Sequence, residues 1–327
     1  MQLVYEEKEL AKNQRSAFGP IPSRRLGRSL GINNIPPKVC SYSCVYCQIG
    51  RTVKMQIERQ AFYKAEKILR DVEQQIEKAK KVKESIDYLT FVPDGEPTLD
   101  LHLGEEIKRL RKLGSKIAVI TNSSLIWRTD VRDDLIEAEW VSLKIDALSP
   151  DVWRKVNRPH GSLSLDQILA GISEFARTFK GELATETMLV QGINDQAEEI
   201  ERISEFLARI KPKKCYVAVP IRPPAEKWVN PPEEYSINRA YQAFKEKSID
   251  TEYLIGYEGN AFAFTGNAEE DLLSIMSVHP MREDAVYEFL RKAQADRSAI
   301  EKLVKEGKLV KAKYKDNTFY LRKLIGY

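Results

Sequence analysis

The stretch Lys38–Gly50 reads KVCSYSCVYCQIG and holds Cys40, Cys44 and Cys47 in the spacing C-x-x-x-C-x-x-C, while the fourth cysteine, Cys215, is remote. Three thiolates on one irregular loop can bind three corners of an iron–sulfur cluster or one metal ion. A structural zinc site takes four ligands, and a 4Fe–4S cluster normally takes four cysteines. Because the neighbouring sequence supplies no fourth ligand, the pattern predicts a cluster with one iron open to a small molecule. A zinc knuckle, or three simply buried thiols, is the alternative.

The composition around this loop excludes several classes of protein. The chain has 327 residues, of which 43% are apolar and 31% charged, so it is neither collagen-like nor disordered. Four cysteines are too few for a disulfide-rich secreted scaffold. No apolar run reaches the roughly 18 residues of a membrane span, and the first residues, MQLVYEEKEL, lack a signal-peptide pattern. We therefore expect a soluble, cytoplasmic protein that does not bind a membrane.

The charge is unevenly distributed along the chain. Lys and Arg number 52 against 48 Asp and Glu, which gives a net charge of +4. Residues 275–327 alone hold 12 basic and 7 acidic residues, so the excess lies in this tail. A small basic domain is thus predicted to follow a nearly neutral body.

Alternating strand and helix patterns predict the architecture. About six strand–helix units fit in residues 28–256, which indicates an α/β fold with a parallel sheet, best described as a partial (β/α)6 TIM-like barrel. The tail reads as helix, helix and basic hairpin, which is typical of a winged-helix-like domain. The predicted segments are an N-terminal extension, the barrel, a connector and the winged-helix-like domain, at residues 1–27, 28–256, 257–275 and 276–327.

The cysteine spacing and the alternating chain resemble the radical S-adenosylmethionine (SAM) superfamily, in which an aromatic residue, here Tyr46, habitually precedes the third cysteine. The resemblance implies that Cys40, Cys44 and Cys47 are the metal-binding and catalytic residues, and that they hold one 4Fe–4S cluster whose open iron binds SAM. It also implies an external electron donor of flavodoxin or ferredoxin type. Its electron splits SAM into methionine and a 5′-deoxyadenosyl radical, and the protein positions the cofactors for this chemistry.

Three further segments resemble one subgroup of that superfamily. They are GPIPSRRLGRSLGIN at 19–33, DGEPT at 94–98 and NRPHG at 157–161. The subgroup consists of iron–sulfur oxidoreductases that are distantly similar to the wybutosine (tRNA-modifying) synthases. The second cysteine cluster of many peptide-modifying members is absent from the sequence, so one cluster is expected.

Two strand ends supply the first cofactor residues that the resemblance implies. Gly95 and Glu96 match a glycine–glutamate segment, with Asp94 where a first glycine often stands, and there a turn and a carboxylate receive the ammonium group of SAM. Glycine also lets the backbone approach closely. Asn122 follows the next strand and is expected to reach the nucleoside or the substrate. An ordinary Asn/Ser turn explains Asn122 equally well.

Two later strands supply the other cofactor residues. Ser142, Lys144 and Asp146 alternate along one strand and therefore share one face, which resembles the ribose-contacting strand of the superfamily. A mutually satisfied Lys144–Asp146 pair is the structural alternative. Val190 and Ile193, at the end of the fifth strand, are expected to contact adenine.

Several basic residues are candidates for substrate binding. Arg24, Arg25 and Arg28 form a dense cationic segment, and guanidinium forks suit carboxylates and phosphates. His160 and Arg222 are weaker candidates on loops. A solvated or salt-bridged arginine loop is the alternative.

The sequence therefore predicts a radical SAM enzyme that abstracts hydrogen from a substrate. The basic tail makes tRNA the first candidate substrate. Modification of a protein, a peptide or a small metabolite is the second reading. A non-catalytic iron–sulfur sensor with a DNA-binding tail is the third.

Overall fold

The structure is a computed structural model that describes residues 16–256 and 259–323. Predictions that fall on residues 1–15, 257–258 and 324–327 lie outside the described residues. The strands in chain order are β1 (Ala17–Ser23), β2 (Gly27–Ile32), β3 (Val39–Cys40), β4 (Lys54–Met55), β5 (Tyr88–Phe91), β6 (Lys116–Thr121), β7 (Trp140–Lys144), β8 (Glu182–Met188), β9 (Lys214–Ala218), β10 (Thr251–Leu254), β11 (Met281–Arg282), β12 (Leu309–Tyr314) and β13 (Asn317–Arg322). The helices are α1 (Ala65–Lys81), α2 (Leu103–Arg111), α3 (Thr129–Leu135), α4 (Pro150–Asn157), α5 (Leu165–Thr178), α6 (Ala197–Ile210), α7 (Glu234–Glu246), α8 (Ala268–Val278), α9 (Glu283–Lys292) and α10 (Ser298–Lys305).

Eight of the strands form one sheet in the order β1-β2-β5-β6-β7-β8-β9-β10. β1 pairs with β2 in antiparallel fashion, and every other neighbouring pair is parallel. Ile21 of β1 and Leu254 of β10, which lie at opposite edges of the sheet, line one cavity together with Thr90 and Ile120 from the strands between them. The sheet is therefore curled into a half barrel, and the predicted partial barrel is confirmed.

The core between the sheet and its helices follows from the hydrophobic periodicity. Val141 and Leu143 of β7 and Ile68 and Val72 of α1 are all fully buried in one apolar cluster. The period of two along the strand and of about 3.6 along the helix place these residues on the facing sides of their elements. The polar residues between them are left for the barrel interior or for solvent.

Residues 17–23, predicted as part of an N-terminal extension, form the edge strand β1. Pro20 and Pro22 interrupt the alternation that would mark a strand, and the pairing register shifts between Phe18 and Ile21. Proline cannot donate to a ladder and is confined to edge strands and bulges, which is where it stands here. This strand was missed because its irregular sequence suits only an edge.

The C-terminal unit, residues 268–323, consists of α8, α9, α10 and a three-stranded sheet in the order β11-β13-β12. Its first helix, α8, begins inside the segment predicted as a connector. The apolar core of this unit includes Leu272, Phe289 and Leu303, and it also includes Phe18 and Ile21 of β1. The unit therefore packs against an edge of the half barrel. Its winged-helix arrangement and the predicted segment boundaries stay predictions.

None of the helices in the described part of the chain is both long and apolar enough to cross a membrane.

Candidate cofactor and substrate site

The three clustered cysteines lie between β2 and α1, beside the carboxyl ends of the parallel strands. All three are partly buried, and none forms a disulfide. They line one cavity of about 160 Å³, the cysteine cavity, whose wall also includes Val92, Pro93, Ile120, Thr121 and Lys144 from the ends of β5, β6 and β7. In parallel barrels the chemistry gathers at this edge of the sheet.

Backbone hydrogen bonds attach the cysteine loop to the end of β5. The Lys38 N–H donates to the Asp94 carbonyl over 2.7 Å, and the Glu96 N–H donates to the Val39 carbonyl over 3.2 Å. The Lys38 ammonium reaches across the loop to the Gly50 carbonyl, 2.6 Å away. The segment Asp94–Glu96 and the start of the cysteine loop therefore form one backbone-to-backbone contact.

Gly95 is the residue at which this contact is closest. A Cβ atom placed there would overlap the Val39 carbonyl oxygen and lie 2.9 Å from its carbonyl carbon and 2.8 Å from Ile35 Cδ1. The backbone oxygen cannot move aside as a side-chain end could. The sequence predicts that the backbone at this glycine approaches another group closely. That group is the backbone of the cysteine loop at Val39.

Each clustered sulfur lies near one nitrogen donor. These contacts are Asn122 Nδ2 to Cys40 Sγ at 3.4 Å, Asn157 Nδ2 to Cys44 Sγ at 3.4 Å and Lys38 Nζ to Cys47 Sγ at 3.8 Å. Donors directed at cysteine sulfur stabilise thiolate charge and tune the potential of an iron–sulfur cluster. Asn122, predicted as a cofactor residue, is thus brought to the cysteines.

Asn157 is a site residue that the sequence reasoning missed. It stands in the segment NRPHG, from which His160 was selected instead. The His160 ring accepts a hydrogen bond from the Ser162 N–H, and the backbone N–H of His160 donates to the Ser41 carbonyl. Among the described residues that line the cysteine cavity, His160 is not included. Only the position of Asn157 in the segment NRPHG could have identified it, because an asparagine by itself does not indicate a functional site.

The electrostatics of the thiols favour a bound metal. Burial and, after it, the charge of the nearby Glu96 carboxylate raise the pKa of the Cys40 thiol to about 12. Burial and the charge of Asp146 raise the pKa of the Cys44 thiol well above its ordinary value. Both thiols therefore keep their protons until a cation compensates the thiolate charge. Metal ions do this, and their binding releases the protons.

The Glu96 carboxylate accepts four hydrogen bonds from the protein. It accepts from the Thr98 N–H at 3.1 Å, the Thr98 hydroxyl at 2.6 Å, the Thr121 hydroxyl at 2.6 Å and the Asn122 N–H at 2.7 Å. Three of these donors meet Oε1 and one meets Oε2, so most of the roughly four lone-pair positions of the carboxylate are in use. Glu96 therefore ties the end of β5 to the end of β6.

Asp94 is the carboxylate at this site that the protein leaves unmatched. Its side chain is 1% exposed and lines the cysteine cavity. Among the described residues, neither carboxylate oxygen has a hydrogen-bond partner. Burial raises the pKa of this carboxyl to about 7, against the opposing charges of Arg322 and Lys38. An orphaned buried carboxylate in a cavity wall suits a cationic group of a ligand.

Replacing Asp94 by Asn is expected to stabilise the ligand-free fold, and more strongly at about pH 8 than at about pH 5.5. Because the pKa of Asp94 is raised in the folded state, a proton on this carboxyl stabilises the fold. That contribution is fully present below the ordinary pKa of 3.8 and is lost as the pH rises through about 7. Asn removes the buried charge. Urea unfolding of both proteins at both pH values measures this gain. Asp151→Asn, at a residue whose side chain is 90% exposed, is the control. A gain for Asp94→Asn that does not grow with pH contradicts the expectation.

Ser142, Lys144 and Asp146, which alternate along β7 and just beyond its end, have different roles. Lys144 lines the cysteine cavity and donates to Glu186 Oε1 over 2.5 Å, so the expected alternative pair with Asp146 does not form. Asp146 instead accepts from the Tyr46 hydroxyl, from Asn157 Nδ2 at 2.7 Å and from the Met188 N–H at 2.9 Å. Asp146 thereby holds the residue before the third cysteine. The buried Ser142 hydroxyl has no hydrogen-bond partner within the described residues.

The structure shows which residues of β8 face the interior of the barrel. Glu186 and Met188 line the barrel interior, while Thr185 bonds the Cys215 sulfur and Thr187 bonds a backbone carbonyl of the neighbouring strand. Both faces carry polar residues, so the sequence left this choice open.

The two residues expected to contact adenine lie in the turn that follows β8. Val190 is fully buried, and its N–H donates to the Asn194 side chain over 2.7 Å. Ile193 packs against the main core. Within the described residues, neither belongs to the lining of the cysteine cavity or of the chambers described next.

Two chambers continue the cysteine cavity into the half barrel. The middle chamber, about 240 Å³, shares Tyr46, Cys47 and Lys144 with the cysteine cavity. The inner chamber, about 110 Å³, shares Arg24, Arg25 and Arg222 with the middle chamber. The three cavities therefore adjoin one another between the third cysteine and a group of arginines.

Arg28 lies apart from that group, although it was predicted together with Arg24 and Arg25. The Arg28 guanidinium donates to Glu84 over 2.5 Å and also to the Ala261 carbonyl. The backbone N–H of Arg28 donates to the Asp87 carboxylate. The side chain therefore ties the barrel to the segment before the C-terminal unit.

The residues present fit an iron–sulfur cluster with a cationic cofactor beside it. Three thiols with nitrogen donors at their sulfurs provide soft ligands, and in the same cavity the buried Asp94 carboxylate accepts no hydrogen bond from the described residues. No three His, Cys, Asp or Glu side chains among the described residues lie close enough together to hold a single metal ion. The fit therefore rests on the chemistry of the donors and on the groups around them.

Comparison with known proteins identifies the family and the fold of the chain. A family model described as the radical SAM superfamily matches residues 34–207. A UPF0026 protein of Methanocaldococcus jannaschii is 50% identical over 310 residues, which are 94% of this chain and 96% of the relative. A radical SAM methyltransferase from Sphaerobacter thermophilus has a similar fold, with a TM-score of 0.53, 16% identity, and 69% of this chain and 66% of that chain covered. A structure of TYW1 with a lysine-pyruvate adduct bound gives a TM-score of 0.49 at 20% identity, with 68% of this chain and 75% of that chain covered.

Proposed function

The chain belongs to the radical SAM superfamily, whose enzymes use a 4Fe–4S cluster and SAM, and from that premise we propose that Cys40, Cys44 and Cys47 hold the cluster. The bound cofactors supply reductive cleavage of SAM to methionine and a 5′-deoxyadenosyl radical, which abstracts hydrogen from a substrate. The observation that carries this proposal is the cysteine cavity, where three thiols share one wall with an unmatched buried carboxylate.

The residues of this chain position and neutralise the cofactors. Asp94 offers its carboxylate to the ammonium group of SAM, because Glu96 is already occupied by four donors of the protein. Asp146 keeps Tyr46 and Asn157 in place, and Asn157 in turn donates to the Cys44 sulfur. Removal of a residue that hydrogen-bonds a metal ligand commonly lowers metal affinity or activity by about 10- to 100-fold.

Enzymes of this superfamily receive their electron from an external donor. A small flavodoxin- or ferredoxin-type protein is the donor class in this proposal. A cytoplasmic location belongs to the same proposal, because thiols and low-potential donors are kept reduced there.

The C-terminal unit favours a small substrate over tRNA. Several of its lysines are paired with carboxylates, namely Lys292 with Glu84, Lys302 with Glu269, Lys308 with Glu306 and Lys311 with Glu283. Two of these partners, Glu84 and Glu269, lie outside residues 275–327 and offset part of the basic excess of that segment. Val278 and His279 at the end of α8 also line the inner chamber, so the unit covers the barrel interior.

Anaerobically reconstituted protein is expected to convert SAM to 5′-deoxyadenosine and methionine in equal amounts when dithionite is added. The expectation follows from a cluster that three thiolates hold with one iron left for SAM. Liquid chromatography with mass spectrometry measures both products, and protein without reductant is the control. Fully loaded protein that yields neither product would support the sensor reading instead.

A further inference from the structure

The segment that follows the cysteine loop carries exposed apolar side chains. Val53 is 64% exposed, which is the highest value of any Val, Leu, Ile or Met side chain in the described part of the chain, and Met55 is 37% exposed. Lys54, between them, is an exposed cation. We call Val53, Lys54 and Met55 the β4 patch. Exposed apolar side chains of this size that lie side by side suit contact with another protein.

The β4 patch is bonded to the strand that carries the first of the clustered cysteines. β4 pairs in parallel with β3, and the register places Met55 opposite Cys40. The Gln56 N–H donates to the Cys40 carbonyl, and the Lys54 N–H donates to the Lys38 carbonyl, each over 3.1 Å. Neighbouring strands lie about 4.8 Å apart. An electron that arrives at the β4 patch therefore has a short route to Cys40 through covalent and hydrogen bonds.

The β4 patch lies outside the cavity that the cofactors would occupy. Thr52, which precedes the patch, lines the cysteine cavity, whereas Val53, Lys54 and Met55 are not part of its described lining. A protein that contacts the patch therefore leaves the cavity free for SAM and the substrate. Delivery of the electron and binding of SAM can then take place on different sides of the same loop.

The chemistry of the β4 patch matches a small electron-carrier protein. Complexes between redox proteins bury less than about 1,200 Å² in total, so a small apolar contact is sufficient. Charged groups in such contacts guide the encounter and fix the orientation of the partners, and Lys54 offers a positive charge to an acidic partner. Ferredoxins of the plant type carry one electron on an iron–sulfur cluster of low reduction potential, which suits reduction of a 4Fe–4S cluster.

We propose that the β4 patch is the docking surface for the external electron donor, and that this donor is a small acidic carrier of ferredoxin type. Val53 and Met55 form the apolar centre of the contact, and Lys54 pairs with a carboxylate of the donor. The reduced cluster of the donor loses one electron, and the cluster held by the three cysteines gains it, with no bond or proton transferred. The inference rests on the proposed function, because it requires a cluster at Cys40.

The test compares two reductants of the anaerobically reconstituted protein. One is a plant-type ferredoxin kept reduced by NADPH and ferredoxin reductase, and the other is dithionite, which needs no docking surface. We expect Val53→Asp to slow ferredoxin-driven SAM cleavage by about tenfold, the loss typical of an anchor in a protein interface, and to leave dithionite-driven cleavage unchanged. Val82→Asp is the matched control, because Val82 is 42% exposed and lies between α1 and β5, at the opposite edge of the sheet.

Carbodiimide cross-linking of the unaltered protein to ferredoxin provides a second measurement that does not depend on activity. Peptide mass spectrometry should find Lys54 joined to a ferredoxin carboxylate, and Val53→Asp should lower the yield by about tenfold. Equal ferredoxin-driven rates for Val53→Asp and Val82→Asp, cleavage driven by flavodoxin but not by ferredoxin, or a dimer of this chain that Val53→Asp dissociates would overturn the proposal. Dithionite separates the two claims: cleavage with dithionite but not with ferredoxin rejects only the docking surface, and cleavage with neither rejects the radical SAM activity.

Discussion

Cys44→Ala protein is expected to retain little iron and to cleave SAM at least about 100-fold more slowly. The loss of a metal ligand should cost at least as much activity as the loss of a residue that hydrogen-bonds a ligand. Cys44 is partly buried beside groups that disfavour a free thiolate, and desolvation and the Asp146 charge raise its pKa. Two thiolates that remain on the loop cannot hold the cluster in a defined geometry. Iron and sulfide analysis after anaerobic reconstitution, followed by the SAM cleavage assay, measures both effects.

Cys215→Ala is the matched control for that substitution. Cys215 is 1% exposed on β9, where its sulfur accepts from the Thr185 hydroxyl over 2.9 Å. It lies outside the described lining of the cysteine cavity. This variant should keep its iron and its SAM cleavage. Cys44→Ala protein with the iron content of the unaltered chain would contradict the assignment of the three thiolates.

Gly95→Ala is expected to lower the free energy of unfolding by about 3 kcal/mol, the upper end of the usual cost of overpacking. The new methyl group would overlap the Val39 carbonyl oxygen and lie 2.8 Å from Ile35 Cδ1. The cysteine loop would have to move away from the end of β5, and the loss of its hydrogen bonds with Asp94 and Glu96 would follow. Cluster loading should therefore fall together with stability. Urea unfolding and iron analysis check the two effects.

Gly161→Ala provides the matched comparison. Gly161 ends the segment NRPHG at 157–161, and a Cβ atom there would meet no atom within 4 Å. Substitutions at such positions usually change stability by no more than about 0.5 kcal/mol. If Gly95→Ala were as stable as Gly161→Ala, the close backbone contact would not be needed to seat the cysteine loop.

The sheet and the cysteine site could be predicted because both depend on local sequence. Apolar residues such as Val141 and Leu143 alternate along a strand, and residues such as Ile68 and Val72 recur along a helix, so each element marks its own buried face. The three cysteines lie within eight residues, and their spacing already limits the metal chemistry. Neither inference requires knowledge of distant contacts.

The remaining features depend on contacts between distant segments. Asn157 and Cys44 are far apart in the chain, and nothing near Asn157 shows that its amide will face a sulfur. Arg25 and Arg28 look equivalent in sequence, yet one turns towards Glu186 and the other towards Glu84. The same holds for Gln48, whose side chain meets the C-terminal unit. Such pairings follow from tertiary packing, which periodicity does not encode.

The central claim is that three thiolates of one loop hold a 4Fe–4S cluster and leave one iron for SAM. The most direct measurement is the electron paramagnetic resonance spectrum of the dithionite-reduced protein before and after SAM is added. We expect about four iron ions per chain and a reduced-cluster signal whose g values shift when SAM binds. Protein with that iron content and a spectrum that SAM leaves unchanged would contradict the claim.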